Sequence, residues 1–271
     1  MLLQISLRNL YKRFIFWEIM TKAIILCAGE GTRLLPLTKD IPKPLVPINN
    51  IPLLEYNIKL CKFHGITDIL INTSYLPEKI KEYFGNGESL GVKITYSYES
   101  KLLGTSGALN NFRKFLKGSP FTIIYGDNLT DINLRKMLKY HQNKGGIATL
   151  ALRKKPQEYK TQSLILADKS LRLIEFIEKP SNDIILRKSS EYKLINSGIY
   201  FFNPAILDYI PEGFSDFAYD IFPNIINKKE KVYGFLMDDY YFREVGKIEK
   251  YNIAKDEIES GKIKLNYMNN E

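Results

Sequence analysis

The sequence predicts an α/β protein: a three-layer αβα arrangement around a doubly wound, mostly parallel sheet with some mixed strand directions. Two observations carry that prediction. From Lys22 onward, short apolar runs alternate with longer amphipathic ones, the pattern of strand–helix–strand units. The residues with evident chemistry then fall just after the apolar runs, and open α/β sheets place ligands outside the carboxyl ends of their strands. A chain of 271 residues is also long enough to bury a sizeable core.

Taken in order, residues 22–27, 68–73, 93–98, 121–125 and 147–153 read as strands, and 52–64, 77–85, 105–117 and 131–143 as helices. The second half is richer in strand pattern, at 162–167, 171–177, 194–202 and 232–236, with helices near 204–210, 218–227 and 247–259. No internal repeat, low-complexity tract or Pro/Gly/Ser-rich linker interrupts this. Residues 20–260 are therefore read as one domain, with 261–271 as a C-terminal tail and 1–19 as a non-catalytic N-terminal extension. In the extension, Leu3, Leu7, Leu10, Phe14 and Trp17 recur at alternating four- and three-residue steps, an amphipathic helical pattern. Arg8, Lys12, Arg13 and Glu18 break it too often for a membrane span, and no small-residue cleavage site follows, although a membrane-surface helix stays open.

Composition excludes more than it assigns. The hydrophobic and charged fractions, 45% and 25%, are those of an ordinary globular protein. The formal charge of +9 suits anionic substrates, but the lysines are scattered rather than striped and no nucleic-acid motif accompanies them. Cys27 and Cys61 sit in apolar surroundings without metal-ligand spacing, so a reduced, cytoplasmic setting is expected. His64 and His141 have no neighbours that make a ligand set.

The chemistry begins at Leu26-Cys27-Ala28-Gly29-Glu30-Gly31-Thr32-Arg33-Leu34, with Lys43-Pro44 ten residues on. Gly29 and Gly31 remove the Cβ atoms that would hold a ligand off the backbone. Successive N–H groups in such a loop form an anion-binding concavity, and Arg33 adds a forked cation for phosphate oxygens. This is neither a dinucleotide fingerprint, which needs a third glycine where Leu34 stands, nor a Walker A loop, which needs Gly-Lys-Ser/Thr. A tight strand-to-helix turn is the plainer alternative.

Ala28-Gly29-x-Gly31-Thr32-Arg33 followed by Pro42-Lys43-Pro44 resembles the signature of the sugar-1-phosphate nucleotidylyltransferases. The resemblance extends in order over nearly all of residues 20–255 and implies a Rossmann-like nucleotidyltransferase fold. Ala28, Gly29, Gly31, Thr32 and Arg33 would hold the triphosphate. Glu99 to Ala108 resembles the family's nucleobase loop, with Leu103 and Gly104 at its centre; read alone, it is a capped helix start. Gly126-Asp127 stands where the family carries its Mg²⁺ ligand, and an Asx turn is the plainer reading. Glu178-Lys179-Pro180 resembles the segment that puts a Glu on sugar hydroxyls and a Lys near the sugar phosphate, although such a tripeptide also suits a solvated strand end. Asn128 and Asn196 would face the sugar. Phe214 to Pro223 resembles a segment of mannose-1-phosphate guanylyltransferases, with Asp216 and Pro223 also reading as helix punctuation.

Two positions depart from the family pattern. Glu244 and Lys247 stand where relatives have Asp and Thr, so the second Mg²⁺ ligand would be one methylene longer. Gln162-Ser163 replaces a Tyr-Gly pair in the sugar pocket. The implied reaction joins an NTP and a sugar 1-phosphate into an NDP-sugar and pyrophosphate. Arg33, Lys43, Asp127 and Lys179 would be catalytic, and Mg²⁺ on Asp127 and Glu244 the cofactor. GTP with mannose or heptose 1-phosphate is slightly favoured. A homologue that binds NDP-sugar without turnover, and a cytidylyltransferase for a non-sugar phosphate, are the alternatives. Neither nucleic acid nor a stably inserted membrane is expected as a partner, and homo-oligomerisation stays open.

Overall fold

The computed structural model describes residues 21–155, 163–188 and 191–268. The N-terminal extension, Gln162 and the last three residues lie outside them. The strands are β1 (Lys22–Leu26), β2 (Pro47–Ile48), β3 (Ile51–Pro52), β4 (Asp68–Thr73), β5 (Lys93–Tyr98), β6 (Phe121–Tyr125), β7 (Asn128–Thr130), β8 (Ala148–Lys154), β9 (Leu164–Ala167), β10 (Leu173–Ile177), β11 (Leu194–Phe202), β12 (Val232–Leu236) and β13 (Phe242–Glu244). The longer helices are α1 (Leu53–Phe63), α2 (Pro77–Phe84), α3 (Leu134–Lys144), α4 (Asn182–Lys188), α5 (Phe222–Asn227) and α6 (Ile248–Glu259).

The central sheet holds nine described strands. β6, β1, β4 and β5 lie side by side and parallel, whereas β11 runs antiparallel to β6 and joins it to β8, β12 and the β9–β10 hairpin. β1 shows why the parallel part is central. Its side chains alternate between two cores: Ala23 and Ile25 pack with Ile69, Ile71 and Leu54 on one face, and Ile24 packs with Leu70, Ile123 and Leu150 on the other. A strand apolar on both faces must be covered by helices on both, which gives the three layers.

Four expectations change in detail. The helix expected over 105–117 is three short turns, Gly104–Gly107, Ala108–Phe112 and Arg113–Leu116; here Asn110 donates out to Pro211 O and accepts from the Arg113 guanidinium. The helix expected over 218–227 opens with a wider turn, Phe217–Ile221, where Ile221 N reaches back to Asp216 O and Phe222 N to Phe217 O just before Pro223, which has no N–H. The helix expected from 131 begins at Leu134, because Asn133 is the cap and Asp131 instead accepts from Tyr241 N at 2.7 Å. Residues 263–268 lie against the body of the fold: Leu265 and Tyr267 are buried, and the Tyr267 hydroxyl donates to Thr130 O.

Short elements place the site. β13 pairs antiparallel with β7, setting Glu244 opposite Asn128, and Val245 N donates to Asp127 O at 2.8 Å. A chain segment from near the end of the fold is thereby fixed beside the end of β6.

Candidate active site

Two adjoining cavities open along the carboxyl ends of the parallel strands. The first, about 560 Å³, is lined by the loop after β1, by Lys43, by Glu99, Leu102, Gly104 and Thr105 after β5, and by Phe214 and Asp216. The second, about 690 Å³, is lined by Asn128, Arg153, Ser163, Glu178, Lys179, Asn196, Phe242, Glu244, Lys247 and Lys250. Arg33, Tyr125 and Asp127 border both.

In the first cavity the two loop glycines have separate reasons. Gly31 is left-handed (φ 71°), its carbonyl accepting from Leu34 N and the Thr38 hydroxyl, and a Cβ there would lie 3.0 Å from Lys43 Cβ. Gly29 has no such constraint: a Cβ would project into open space. No protein atom demands a glycine there, whereas a group binding against the backbone would. Ala28 is buried beside it, with Thr32 and Arg33 opening a short 3₁₀ turn. Gly126 is demanded by packing, since its Cβ would lie 2.6 Å from Cys27 Sγ.

A buried polar relay ties this loop to the one after β5. Cys27 N donates to Asn72 Oδ1 (2.8 Å), Asn72 Nδ2 to Glu99 Oε1 (2.8 Å), and Leu103 N to Glu99 Oε2 (2.9 Å). Sequence reading missed Asn72; its signal was a polar residue at the apolar end of β4. The glycines of the 103–107 loop have a packing reason. Leu103 O accepts from Ser215 N, and Ser106 N and Gly107 N both donate to Ser215 O. Gly104 (φ 76°) would place a Cβ 2.3 Å from Ser215 O, and Gly107 one 2.4 Å from Gly213 O. These glycines admit the protein's own 213–215 backbone, and Leu103 O, Ser106 N and Gly107 N are used in that clasp. Leu103 accordingly acts through its backbone, and Leu102 is the leucine that lines the cavity.

Where the cavities meet, charges are paired. Lys43 Nζ lies 2.5 Å from Asp127 Oδ2, and Lys250 Nζ lies 2.6 Å from Glu244 Oε2. The longer Glu244 side chain has room because residue 246 is glycine: a Cβ there would lie 2.6 Å from Glu244 Oε1 and 3.7 Å from Arg33 Nη2. Among the described residues no group of three or more acidic, His or Cys side chains forms a metal cluster. The Asp127 and Glu244 carboxylates, which border the same cavity, are nevertheless a donor set that fits Mg²⁺, commonly held by one or two carboxylates, water and substrate phosphates. Burial, with the nearby Asp127 charge, raises the Cys27 thiol above its usual range, which disfavours the thiolate.

In the second cavity, burial raises the Glu178 carboxyl above its usual range, opposed by the Lys179 ammonium. Lys179 itself has φ 42°, a strained conformation of the kind stored at functional sites, and its ammonium stands 5.7 Å from the Tyr219 ring. Asn128 and Asn196 line this cavity but are also tied inside the protein. Asn128 donates to Ser197 O at 2.8 Å, while Asn196 donates to the Tyr200 hydroxyl at 2.7 Å and accepts from Gly198 N at 3.1 Å. Ser163 accepts from Asn196 N at 2.9 Å, which gives the departure at 163 a role in holding β11. Sequence reading missed Arg153, whose guanidinium stacks 4.2 Å from the Phe242 ring centroid and bonds the Ser197 hydroxyl, and Lys250. Asp216 both lines the first cavity and caps its turn by accepting from Ala218 N. His64 and His141 lie outside both cavities, bonded to Ile132 O and the Thr149 hydroxyl, each pushed down by burial to about 4.

A profile of the family described as Nucleotidyl transferase matches residues 22–261. The chain belongs to that family. Its relatives place it in the sugar-1-phosphate branch. The D-glycero-alpha-D-manno-heptose 1-phosphate guanylyltransferase of Campylobacter jejuni is 38% identical over 236 residues, covering 85% of this chain and 96% of the relative. The UTP–glucose-1-phosphate uridylyltransferase of Synechocystis is 36% identical over 256 residues, 90% of this chain and 64% of the relative. Mannose-1-phosphate guanylyltransferase 1 of Arabidopsis thaliana is 35% identical over 208 residues, 75% and 56%. The nucleotidyltransferase chain thus spans less than two thirds of the latter two. Among solved structures, HddC from Yersinia pseudotuberculosis superposes with a TM-score of 0.71 at 24% identity, covering 88% of this chain and 99% of that one, a likeness of fold. No helix among the described residues is long and apolar enough to cross a membrane.

Proposed function

We propose that the protein joins an NTP and a sugar 1-phosphate into an NDP-sugar and pyrophosphate. The observation that carries the reading is the pair of cavities meeting at Arg33, Tyr125 and Asp127. One has the glycine loop and a cationic end suited to a triphosphate; the other combines polar side chains with cations suited to a sugar phosphate. GTP with mannose or heptose 1-phosphate is the pairing we favour. It is supported by the Phe214 to Pro223 segment and by the near-full-length relative named as a heptose 1-phosphate guanylyltransferase, while the uridylyltransferase relative supports UTP.

In this reading a phosphate oxygen of the sugar 1-phosphate attacks the α-phosphorus, forming one P–O bond as the α–β P–O bond breaks and pyrophosphate leaves. A phosphate monoester dianion is already a nucleophile, so no protein base is needed, and catalysis is positioning and charge stabilisation. Lys179 holds the sugar phosphate against the nucleotide that would repel it. Lys43 turns from Asp127 towards the α-phosphate, and Arg33, bordering both cavities, carries charge on the departing pyrophosphate. Asp127 and Glu244 would hold Mg²⁺, which supplies charge neutralisation between the two phosphates.

The test is pyrophosphate release with Mg²⁺ across GTP, UTP, dTTP, CTP and ATP against several sugar 1-phosphates. One productive nucleotide and sugar, abolished by EDTA, is the expected result. Silence across the grid together with thermal stabilisation by an NDP-sugar would replace it with a binding role.

A further inference from the structure

We infer that the edge of the central sheet opposite the two cavities docks on an anionic lipid surface, with the segment before β1 supplying the apolar side chains that enter the bilayer. The inference goes beyond the proposed reaction and does not depend on it.

The topology gathers charge that the sequence scatters. β1, β4, β5 and β6 are parallel, so Lys22, Asp68, Lys93 and Phe121 lie level at their amino ends. β11 is antiparallel to β6 and β8, and β12 is parallel to β8, which brings Phe202, Ala148 and Val232 to the same edge. The turns that feed this edge expose Lys62, Lys93, Lys114, Lys117, Lys229 and Lys231. Among the described residues of these turns the acids are fewer. Glu88 and Asp208 are exposed, Glu230 accepts from the Tyr209 hydroxyl, and Asp68 at the start of β4 is ion-paired with Lys22. In the order β5, β4, β1, β6, β11, β8, β12 the edge crosses six inter-strand steps, about 29 Å.

Apolar groups stand among these lysines. Phe63, at the end of α1, is 41% exposed, and Phe115, between Lys114 and Lys117, 45%. β1 lies between β4 and β6, so residues 1–20 join the fold in the middle of this edge. Their sequence puts Leu3, Leu7, Leu10, Phe14 and Trp17 at helical spacing, with Arg8, Lys12 and Arg13 against Glu18. A segment of that composition binds at a headgroup boundary through its apolar and its basic residues together. The lysines of the edge add to the same attraction, because an anionic leaflet draws each cation near its surface. Charge complementarity therefore selects an anionic bilayer over a neutral one. In this orientation the cavities, at the carboxyl ends of the strands, face away from the lipid and stay open to soluble substrates.

The experiment mixes the full chain with vesicles of phosphatidylcholine alone, or of phosphatidylcholine and phosphatidylglycerol in equal parts, and reads cosedimentation and tryptophan emission. Trp17 is the only tryptophan in the chain, so its emission reports on the segment directly. Expected is sedimentation with the mixed vesicles, a blue shift of Trp17, reversal by raised salt, and neither signal with phosphatidylcholine alone. Lys114→Gln, Lys117→Gln and Lys231→Gln together should weaken vesicle binding about a hundredfold, roughly fivefold per lysine. That triple variant should keep the parent's melting midpoint and its pyrophosphate release in solution, since the three side chains are exposed and lie away from both cavities. Phe14→Glu should abolish the blue shift. Parent-like binding by the triple variant, equal binding to the neutral vesicles, or no sedimentation with either would overturn the inference. So would a Trp17 emission that is already blue without vesicles and unmoved by them, which would show the segment covered by protein. Binding to RNA that the mixed vesicles cannot displace would assign the basic edge to nucleic acid instead.

Discussion

The two cavities that meet at Asp127 are walled in different ways. The first is walled mainly by loops after parallel strands, with the 213–216 segment clasped against them, and its shape rests on backbone: a left-handed Gly31, and a Gly104 against Ser215 O. The second is assembled from distant places, with Arg153 on β8, Ser163 before β9, Lys179 after β10, Asn196 within β11 and Glu244 on β13. Its shape rests on side chains bonding one another. Changes at Gly31 or Gly104 should therefore damage the first, and a truncated Arg153 the second.

The largest effects belong where the cavities join. Lys43→Ala and Arg33→Ala should each lower kcat by about 10²–10³, the scale of removing one preorganised stabiliser. An unchanged kcat for Lys43→Ala in a pyrophosphate assay would refute its role. Next, Gly104→Ala adds a Cβ 2.3 Å from a carbonyl at positive φ. Overpacking of this kind costs about 1–3 kcal/mol, read by chemical denaturation, and the KM for NTP should rise while that for the sugar phosphate holds. A smaller effect is expected from Arg153→Met: roughly a tenfold rise in KM for sugar 1-phosphate, as for one lost charge-assisted contact, with the KM for NTP unmoved. If both constants move together in either variant, the division between the cavities fails.

An effect that leaves activity at neutral pH untouched lies outside both. Burial pushes His64 and His141 down to about 4, whereas an unfolded chain protonates them near 6.5. Between those values the unfolded state binds more protons, so stability should be intact above pH 6.5 and fall as pH drops towards 4. A melting midpoint flat across that window would exclude these histidines as the source of acid sensitivity.

The same contrast governs what could be read from the chain. β1, β4 and β6 are buried on both faces, β5 is the half-exposed edge strand, and all four begin and end within a residue of expectation. The residues after them, Gly29 to Arg33 and Asp127, reach the cleft as the strand-end rule requires. Glu178, Lys179, Asn196 and Glu244 reach the second cavity too, but their placing depends on the family resemblance, because periodicity cannot register a three-residue β7 or β13. Arg153 was hidden because one charged residue near the end of an apolar strand reads as solvated. Phe214 was hidden because its neighbour Phe217 is a true core residue, stacked on Phe202, and nothing in the sequence separates the two. Residue 246 had a legible glycine, but its reason, room for a longer Glu244, needed coordinates.

The β7–β13 pairing has a consequence for how the site is completed. The loop after β1, the relay through Asn72 and Glu99, and Asp127 all precede β7 in the chain, whereas the strand bearing Glu244 follows β12. The first cavity also waits on later chain, since residues 213–215 clasp the 103–107 loop. Until β13 pairs with β7, Glu244 has no fixed place opposite Asn128, so this side of the second cavity is set by a pairing between segments far apart in the chain.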